Sequence, residues 1–502
     1  MIILIIVLAL IICLVLTLLI RAIRFTPGPS IPKTLPEISS DDAIPPQSGE
    51  TPDRVGAAAQ HLGEAISIRT ISNSDEEKVD WAEFEKFHLW LAKTYPRTHE
   101  TLEREVAGRA SLFFRWRGKD PSLKPFAMLA HMDVVPVEAS TLGDWTHPPF
   151  DGFVDDDAIW GRGASDMKNQ LVALFESVEH LVSEGFVPDR DVYLCIGHNE
   201  EVQTGDISGA RAMVRLLRER GVQLEFVLDE GGAVIEDAPF NVSAPIAMIG
   251  LAEKGYVDFR ITVVDHGGHS AEPPPHTALG KLSKAITAIE AAPMKQRLIT
   301  PVDLTFDALG RRMRLPMRLV LANLWLLKPL ALPVLSKDRQ TNAMTRTTIA
   351  ATMAEASPAS NVLPQRATAN LNVRILPGQT AEEVEKHITT VAAKAGVRLE
   401  IKASRTSPAI EARKSAWAYD AILRCLPTIR EGIIATPYLV TGATDSREYA
   451  GIADEIYRFY PFIINSKELS AMHATDERIR RESLAGALKF NYHFIKMAGD
   501  RK

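Results

Sequence analysis

Six side chains of metal-ligating or proton-transferring type, His131, Asp133, Asp166, Glu200, Glu201 and Asp229, stand at the ends of short apolar runs or in a glycine-rich turn. Phe126–Ala130 runs into His131-Met132-Asp133, Val192–Gly197 into His198-Asn199-Glu200-Glu201, and Glu225–Leu228 into Asp229-Glu230. A fourth block, Gly161-Arg162-Gly163-Ala164-Ser165-Asp166, precedes a helical segment. Carboxylates gathered this densely repel one another and raise each other's proton affinity, so the cluster is unfavourable unless a cation sits among them. Histidine with Asp and Glu, and no thiolate, suits zinc or a similar first-row divalent ion. Two ions a few ångström apart need one bridging carboxylate plus terminal His and acid ligands. Solvated loop acids and a surface histidine would explain any one of these residues alone. They do not explain clusters at successive strand ends.

The elements that must position them follow from the hydrophobic pattern. The three runs read as buried strands, separated by helical segments at Lys168–Glu184 and Ser208–Arg220. That alternation predicts an α/β domain with a largely parallel sheet flanked by helices, and sites in such sheets form beyond the carboxyl ends of the strands. Upstream, Val55–Ile68 places Val55, Ala59, Leu62 and Ile66 on one helical face, and Val79–Tyr95 reads as a second helix.

At 502 residues the chain has room for more than one domain, and 46% hydrophobic with 24% charged residues is ordinary globular composition. A net charge of −6 with both signs interspersed offers no basic surface for nucleic acid. The three cysteines, Cys13, Cys195 and Cys425, supply neither a thiolate metal site nor a disulfide framework. Residues 2–20 are apolar except for Thr17, long enough to span a hydrocarbon core, without the basic leader or small-residue cleavage site of a secretory signal. We therefore expect a single-pass membrane anchor. Arg21, Arg24 and Lys33 follow it, too few to fix the side of the membrane. Residues 21–53 read as a linker, with seven prolines between Thr26 and Pro52.

The blocks His131-Met132-Asp133-Val134-Val135-Pro136, Gly161-Arg162-Gly163 through Asp166-Met167-Lys168, and His198-Asn199-Glu200-Glu201 together resemble the signature of a di-zinc peptidase family. It is the family of aminoacylases, acetylornithine deacetylases and carboxypeptidase S. The resemblance runs from about Val55 to Lys496. It leans toward carboxypeptidase S and the N-fatty-acyl-amino acid synthase/hydrolases through Gly267–Ser270, Ser360–Pro364, Asn372–Gln379 and Tyr457–Pro461. Two departures are slight: Ala443 stands where many relatives carry Gly or Asn, and Ala271 where Ser is common.

Residue by residue, the resemblance implies two zinc ions, with other first-row metals able to substitute. Asp166 would bridge them, His131 and Asp229 would complete one ion's ligands, and Glu201 and His473 the other's. Asp133 would orient His131 through its second nitrogen. Glu200 would be the general base. His269 would stabilise the oxyanion, and Arg374 would hold the substrate carboxylate, with Asn361 and Gly442 lining the substrate site. The implied architecture is a discontinuous catalytic domain, 54–250 and 404–496, and an α+β sandwich lid, 251–403, carrying an insertion at 293–346. In many relatives the lid dimerises; the sequence leaves that open here. The implied reaction hydrolyses, or reversibly forms, the amide bond of N-acyl amino acids, long-chain acyl groups included. Its rivals are an exo-carboxypeptidase on small peptides and, from another class, an inactive amino-acid-binding membrane protein, which the retention of Glu200 and the ligand set argues against. The segment Met317–Leu335, broken by Pro329 and Pro333 and preceded by Arg311, Arg312, Arg314 and Arg318, is a poor transmembrane span. It reads either as lid core or as an apolar wall for an acyl chain, with its arginines toward headgroups.

Overall fold

The computed structural model describes residues 2–27, 53–202, 208–237, 242, 244–412 and 416–500, so most of the expected linker lies outside the described residues. The strands Phe126–His131, Val192–Gly197, Leu224–Asp229 and Ala453–Arg458 run parallel as neighbours at the centre of an eleven-stranded sheet. The three of them expected from apolar runs are almost wholly buried, because helices cover both faces of the sheet. Arg54–Ser67, Lys168–Ser183, Trp417–Ile429 and Arg481–Gly499 contribute to the large core on one face. Gly209–Glu219 packs on the other.

Residues 255–407 hold a second, four-stranded antiparallel sheet in the order Thr348–Glu355, Arg366–Ile375, Gly255–Val264, Glu400–Ser407. Helices Ala278–Ala291 and Ala381–Lys394 pack on it around their own core of Val257, Phe259, Ile261, Leu282, Val373 and Ile388. The cuts expected at 250/251 and 403/404 fall inside strands Ile246–Glu253 and Glu400–Ser407, so the chain crosses between the two sheets at Lys254 and again after Ser407. The insertion folds as four helices, Thr300–Gly310, Leu315–Leu321, Leu324–Leu335 and Arg339–Thr345. Pro301 and Pro316 lie in the first turns of their helices, where a missing N–H costs nothing. The N-terminal apolar helix extends beyond the expected end to Arg24.

Candidate functional site

The site lies where the sequence pattern puts it, beyond the carboxyl ends of the parallel strands. Asp166 is its centre. Its Oδ1 lies 3.1 Å from His131 Nε2 and its Oδ2 3.0 Å from His473 Nε2, so one carboxylate faces two imidazoles from opposite sides. Glu201 Oε1 lies 3.1 Å from the same His473 nitrogen. Donor atoms of His131, Asp166 and Glu201 fall within 4.8 Å of one another, and so do those of His131, Glu200 and Glu230.

That second group moves one expectation. Strand Leu224–Asp229 ends with two acids, and successive residues of an extended chain point to opposite sides. Asp229 turns away from the cluster, its Oδ2 accepting from the Ser446 N–H at 2.8 Å. Glu230 turns toward it, with Oε1 3.5 Å from His131 Nε2. Glu230 is thus a candidate for the role expected of Asp229, since it is the acid that groups with His131 among the described residues.

Asp133 works in two directions. Its carbonyl oxygen lies 3.0 Å from His131 Nδ1, with carboxylate Oδ1 at 3.4 Å, which orients the ring as expected. Its carboxylate also accepts from the backbone N–H groups of Glu200 at 3.1 Å and Glu201 at 3.2 Å, tying both glutamates to the same anchor. Sequence reasoning missed a second brace, Glu477. This fully buried acid accepts from the Arg162 guanidinium at 2.5 Å and from the backbone N–H groups of Gly163, Ser165 and Asp166 at 3.0, 2.9 and 3.2 Å. It fixes the glycine-rich turn that presents Asp166. Nothing local in the sequence nominates a glutamate more than three hundred residues downstream of that turn. A further acid, the part-buried Asp445, approaches so closely that a Cβ on Gly197 would lie 2.6 Å from its Oδ2.

The electrostatics report a cluster organised for cations. Burial opposes the charge of both His131 and Asp166, but hydrogen bonds to Asp133 and then Asp166 raise the imidazole well above its usual range, and those to His131 and His473 hold the Asp166 carboxylate well below its own. Hydrogen bonds to Asp166 and Glu201 push His473 up to about 10. Burial, reinforced by Asp166, raises Glu201 to about 7 and Glu230 to about 8. Glu200 is raised well above the carboxylate range, first by burial and then by the charge of Glu230. An imidazole and carboxylate set without sulfur, with one carboxylate offering an oxygen to each of two histidines, fits a pair of first-row divalent ions.

The lid residues are placed otherwise. His269 is exposed, on a two-residue strand paired with Val362–Leu363, and its Nδ1 accepts from the Ala271 N–H at 3.0 Å, which leaves Nε2 to carry the proton. Asn361 is also exposed and accepts through its carbonyl from the Ser270 N–H at 3.1 Å. Arg374 lies over the Tyr256 ring, 4.8 Å from its centroid, with Nε 3.4 Å from Asn372 Oδ1. Its Nη1 is buried and, among the described residues, has no hydrogen-bond partner. Gly442 has open space around it. No hydrogen bond joins His269, Asn361, Arg374 or Gly442 to the rim cluster among the described residues.

Residues 127–497 match the model of peptidase family M20/M25/M40, and the chain belongs to that family. It is similar to a protein of Dictyostelium discoideum called probable carboxypeptidase S-like 2, 35% identical over 97% of this chain and 92% of that one. It is equally similar, at 35% identity over 91% of each chain, to the mouse (Mus musculus) N-fatty-acyl-amino acid synthase/hydrolase PM20D1. Among solved structures it shares its fold with an M20 family metallo-carboxypeptidase of Sulfolobus solfataricus, with a TM-score of 0.67 at 18% identity over 88% of this chain and 99% of that one. The chain is a metal-dependent hydrolase of amide or peptide C–N bonds.

Proposed function

We propose that the protein hydrolyses, and under favourable mass action forms, the amide bond between an acyl group and an amino acid that keeps its free carboxylate. The observation that carries this reading is Asp166 standing between His131 and His473 with the buried Glu200 alongside. His131, Asp166 and Glu230 would hold one ion, and Asp166, Glu201 and His473 the other. When bound, a zinc pair supplies Lewis acidity and lowers the pKa of water toward neutrality. Glu200 takes the proton of the attacking water on a carboxylate oxygen and returns it to the leaving amine, and its raised proton affinity suits both tasks. The lid supplies the remaining groups as it closes: the Nε2–H of His269 donates to the developing oxyanion, and Arg374 grips the substrate carboxylate. A buried donor left without a partner costs about 1–3 kcal/mol, and a carboxylate on Arg374 Nη1 removes that cost.

The apolar helix Ile2–Arg24 would anchor the enzyme in a bilayer, and an apolar stretch at Met317–Leu335 suits an acyl tail longer than acetyl. A carboxypeptidase acting on small peptides would use the same carboxylate grip, so the substrate panel must separate the two. Hydrolysis of free-acid N-acyl amino acids should exceed that of their amidated forms, and kcat/KM should rise with acyl length. A flat or acetyl-favouring profile with brisk dipeptide cleavage would return the chain to the peptidase reading. The edge strand Thr348–Glu355 is largely exposed and gives a lid-to-lid dimer a surface, which sedimentation in detergent would read as twice the monomer mass.

A further inference from the structure

The arginines ahead of the insertion's apolar stretch do not all face outward. The last carbonyls of an α-helix have no partner within it. At the end of Ile2–Arg24 those of Ala22 and Ile23 are taken by Arg318, at 2.9 and 3.4 Å from Nη2. Asn323, fully buried, donates to Leu18 O at 3.1 Å, and Arg21 returns a bond to Ala322 O at 3.2 Å. Arg311 reaches Thr26 O at 3.2 Å and lies over the Phe25 ring. Gly310 admits that ring, since a Cβ there would lie 2.9 Å from it. The end of the apolar helix is thus bolted to the turn between Leu315–Leu321 and Leu324–Leu335, which meet at 112°.

Helix Leu324–Leu335 is two-faced. Ala331 and Leu335 are buried, and Leu335 joins a core that reaches Leu376 and Leu439, close in sequence to Arg374 and Gly442. The opposite half of the helix is a broad apolar stripe, with Trp325 61%, Leu330 71% and Val334 63% exposed, and Pro329 and Pro333 among them. Such a stripe is costly in water, and here it begins beside the polar end of a helix able to span a bilayer.

We infer that Leu324–Leu335 lies in the interfacial layer of the same leaflet the N-terminal helix leaves, with Trp325, Leu330 and Val334 among the lipids. Arg21, Arg24 and Arg314 would stand at headgroup level. Anchor and insertion then form one membrane-facing unit that holds the body, and the lid edge carrying Arg374, at a fixed height above the bilayer. This rests on the anchor reading of the N-terminal helix, and the test separates the two.

The full chain carrying Cys13→Ser and Leu330→Cys is labelled at position 330 with an environment-sensitive nitrobenzoxadiazole dye. It is reconstituted into phosphatidylcholine–phosphatidylserine vesicles. The control is Leu89→Cys in the same background, comparably exposed at 74% on a catalytic-domain helix. Cys195 and Cys425 are buried and should not react. Emission from position 330 should shift to the blue and fall several-fold with lipids brominated high on the acyl chain, while aqueous iodide quenches only position 89. Iodide quenching at position 330 equal to the control, with the chain still vesicle-bound, overturns the inference and spares the anchor. A blue shift without bromolipid quenching overturns it in favour of a protein partner such as a second copy. A chain that fails to float with the vesicles overturns both.

Discussion

The rim of the large sheet and the residues expected to complete the site from the second domain are built on opposite terms. At the rim, Asp133 and Glu477 accept five backbone N–H groups between them, so Glu200, Glu201 and the turn that carries Asp166 are pinned before any substrate arrives. At the lid edge His269 and Asn361 are exposed, and Arg374 keeps a buried N–H without a partner among the described residues. Groups that bind ions must be rigid whatever the substrate, because ligand geometry sets affinity. Groups that bind substrate can wait for closure, which expels water as it assembles the site.

The sharpest break in that comparison is Asp166→Ala. It should remove both ions and all turnover, whereas Glu200→Gln should keep both ions and lose about 10²–10⁴-fold in kcat. Metal content by mass spectrometry beside kcat separates the two. Two ions retained in Asp166→Ala would refute the bridge, and near wild-type kcat in Glu200→Gln would refute the base.

Glu230 and Asp229 come next. Glu230→Ala should cost about 10–100-fold or more in metal affinity, in the range that lost ligands and their supporting partners reach. Asp229→Asn should keep the metals and loosen the Ser446 loop instead. The reverse pattern restores Asp229 as the ligand.

At the lid, Arg374→Lys should raise KM roughly 10-fold for free-acid substrates, because a point charge cannot reproduce the guanidinium fork, and should leave metal content unchanged. A change in bound metal would deny that lid and rim are separable.

The smallest effect is in stability. In the metal-free protein Glu201 at about 7 and Glu230 at about 8 lie above their unfolded value of about 4.3. Their contribution is therefore complete at low pH and is lost as pH rises through 7 to 8. The raised histidines act in the same direction, and Asp166, held low, is already ionised throughout that window. The Tm of stripped protein should fall by a few degrees, roughly, from pH 6 to pH 9, and saturating zinc should largely cancel the fall, since binding releases those protons. A Tm that rises with pH in the stripped protein would contradict the assignment of those protons.

Much of the rim was legible because buried parallel strands leave continuous apolar runs and their ends are where chemistry collects. The helix Arg54–Ser67 was legible for a similar reason: Ala59, Leu62 and Ile66 share one apolar face and are buried. Strand alternation puts Asp229 and Glu230 on opposite sides, but which of them meets His131 shows only once the register of the strand end is known. Glu477 was hidden because its partners are backbone N–H groups, which leave no trace in residue type. His473 entered only through resemblance, since it sits in a turn at a positive φ of 60° far along the chain. The insertion's helices were obscured by proline, which costs nothing in a first turn, as at Pro301 and Pro316, but removes a backbone hydrogen bond inside a helix, as at Pro329 and Pro333.

The most direct test of the account is a zinc titration of the metal-stripped full chain, following hydrolysis of a long-chain N-acyl amino acid and bound metal together. Turnover should be absent at the start, rise with added zinc and saturate at two equivalents per chain. Turnover in the stripped protein, or saturation at one equivalent with no second ion bound, would contradict a centre in which Asp166 joins two ions.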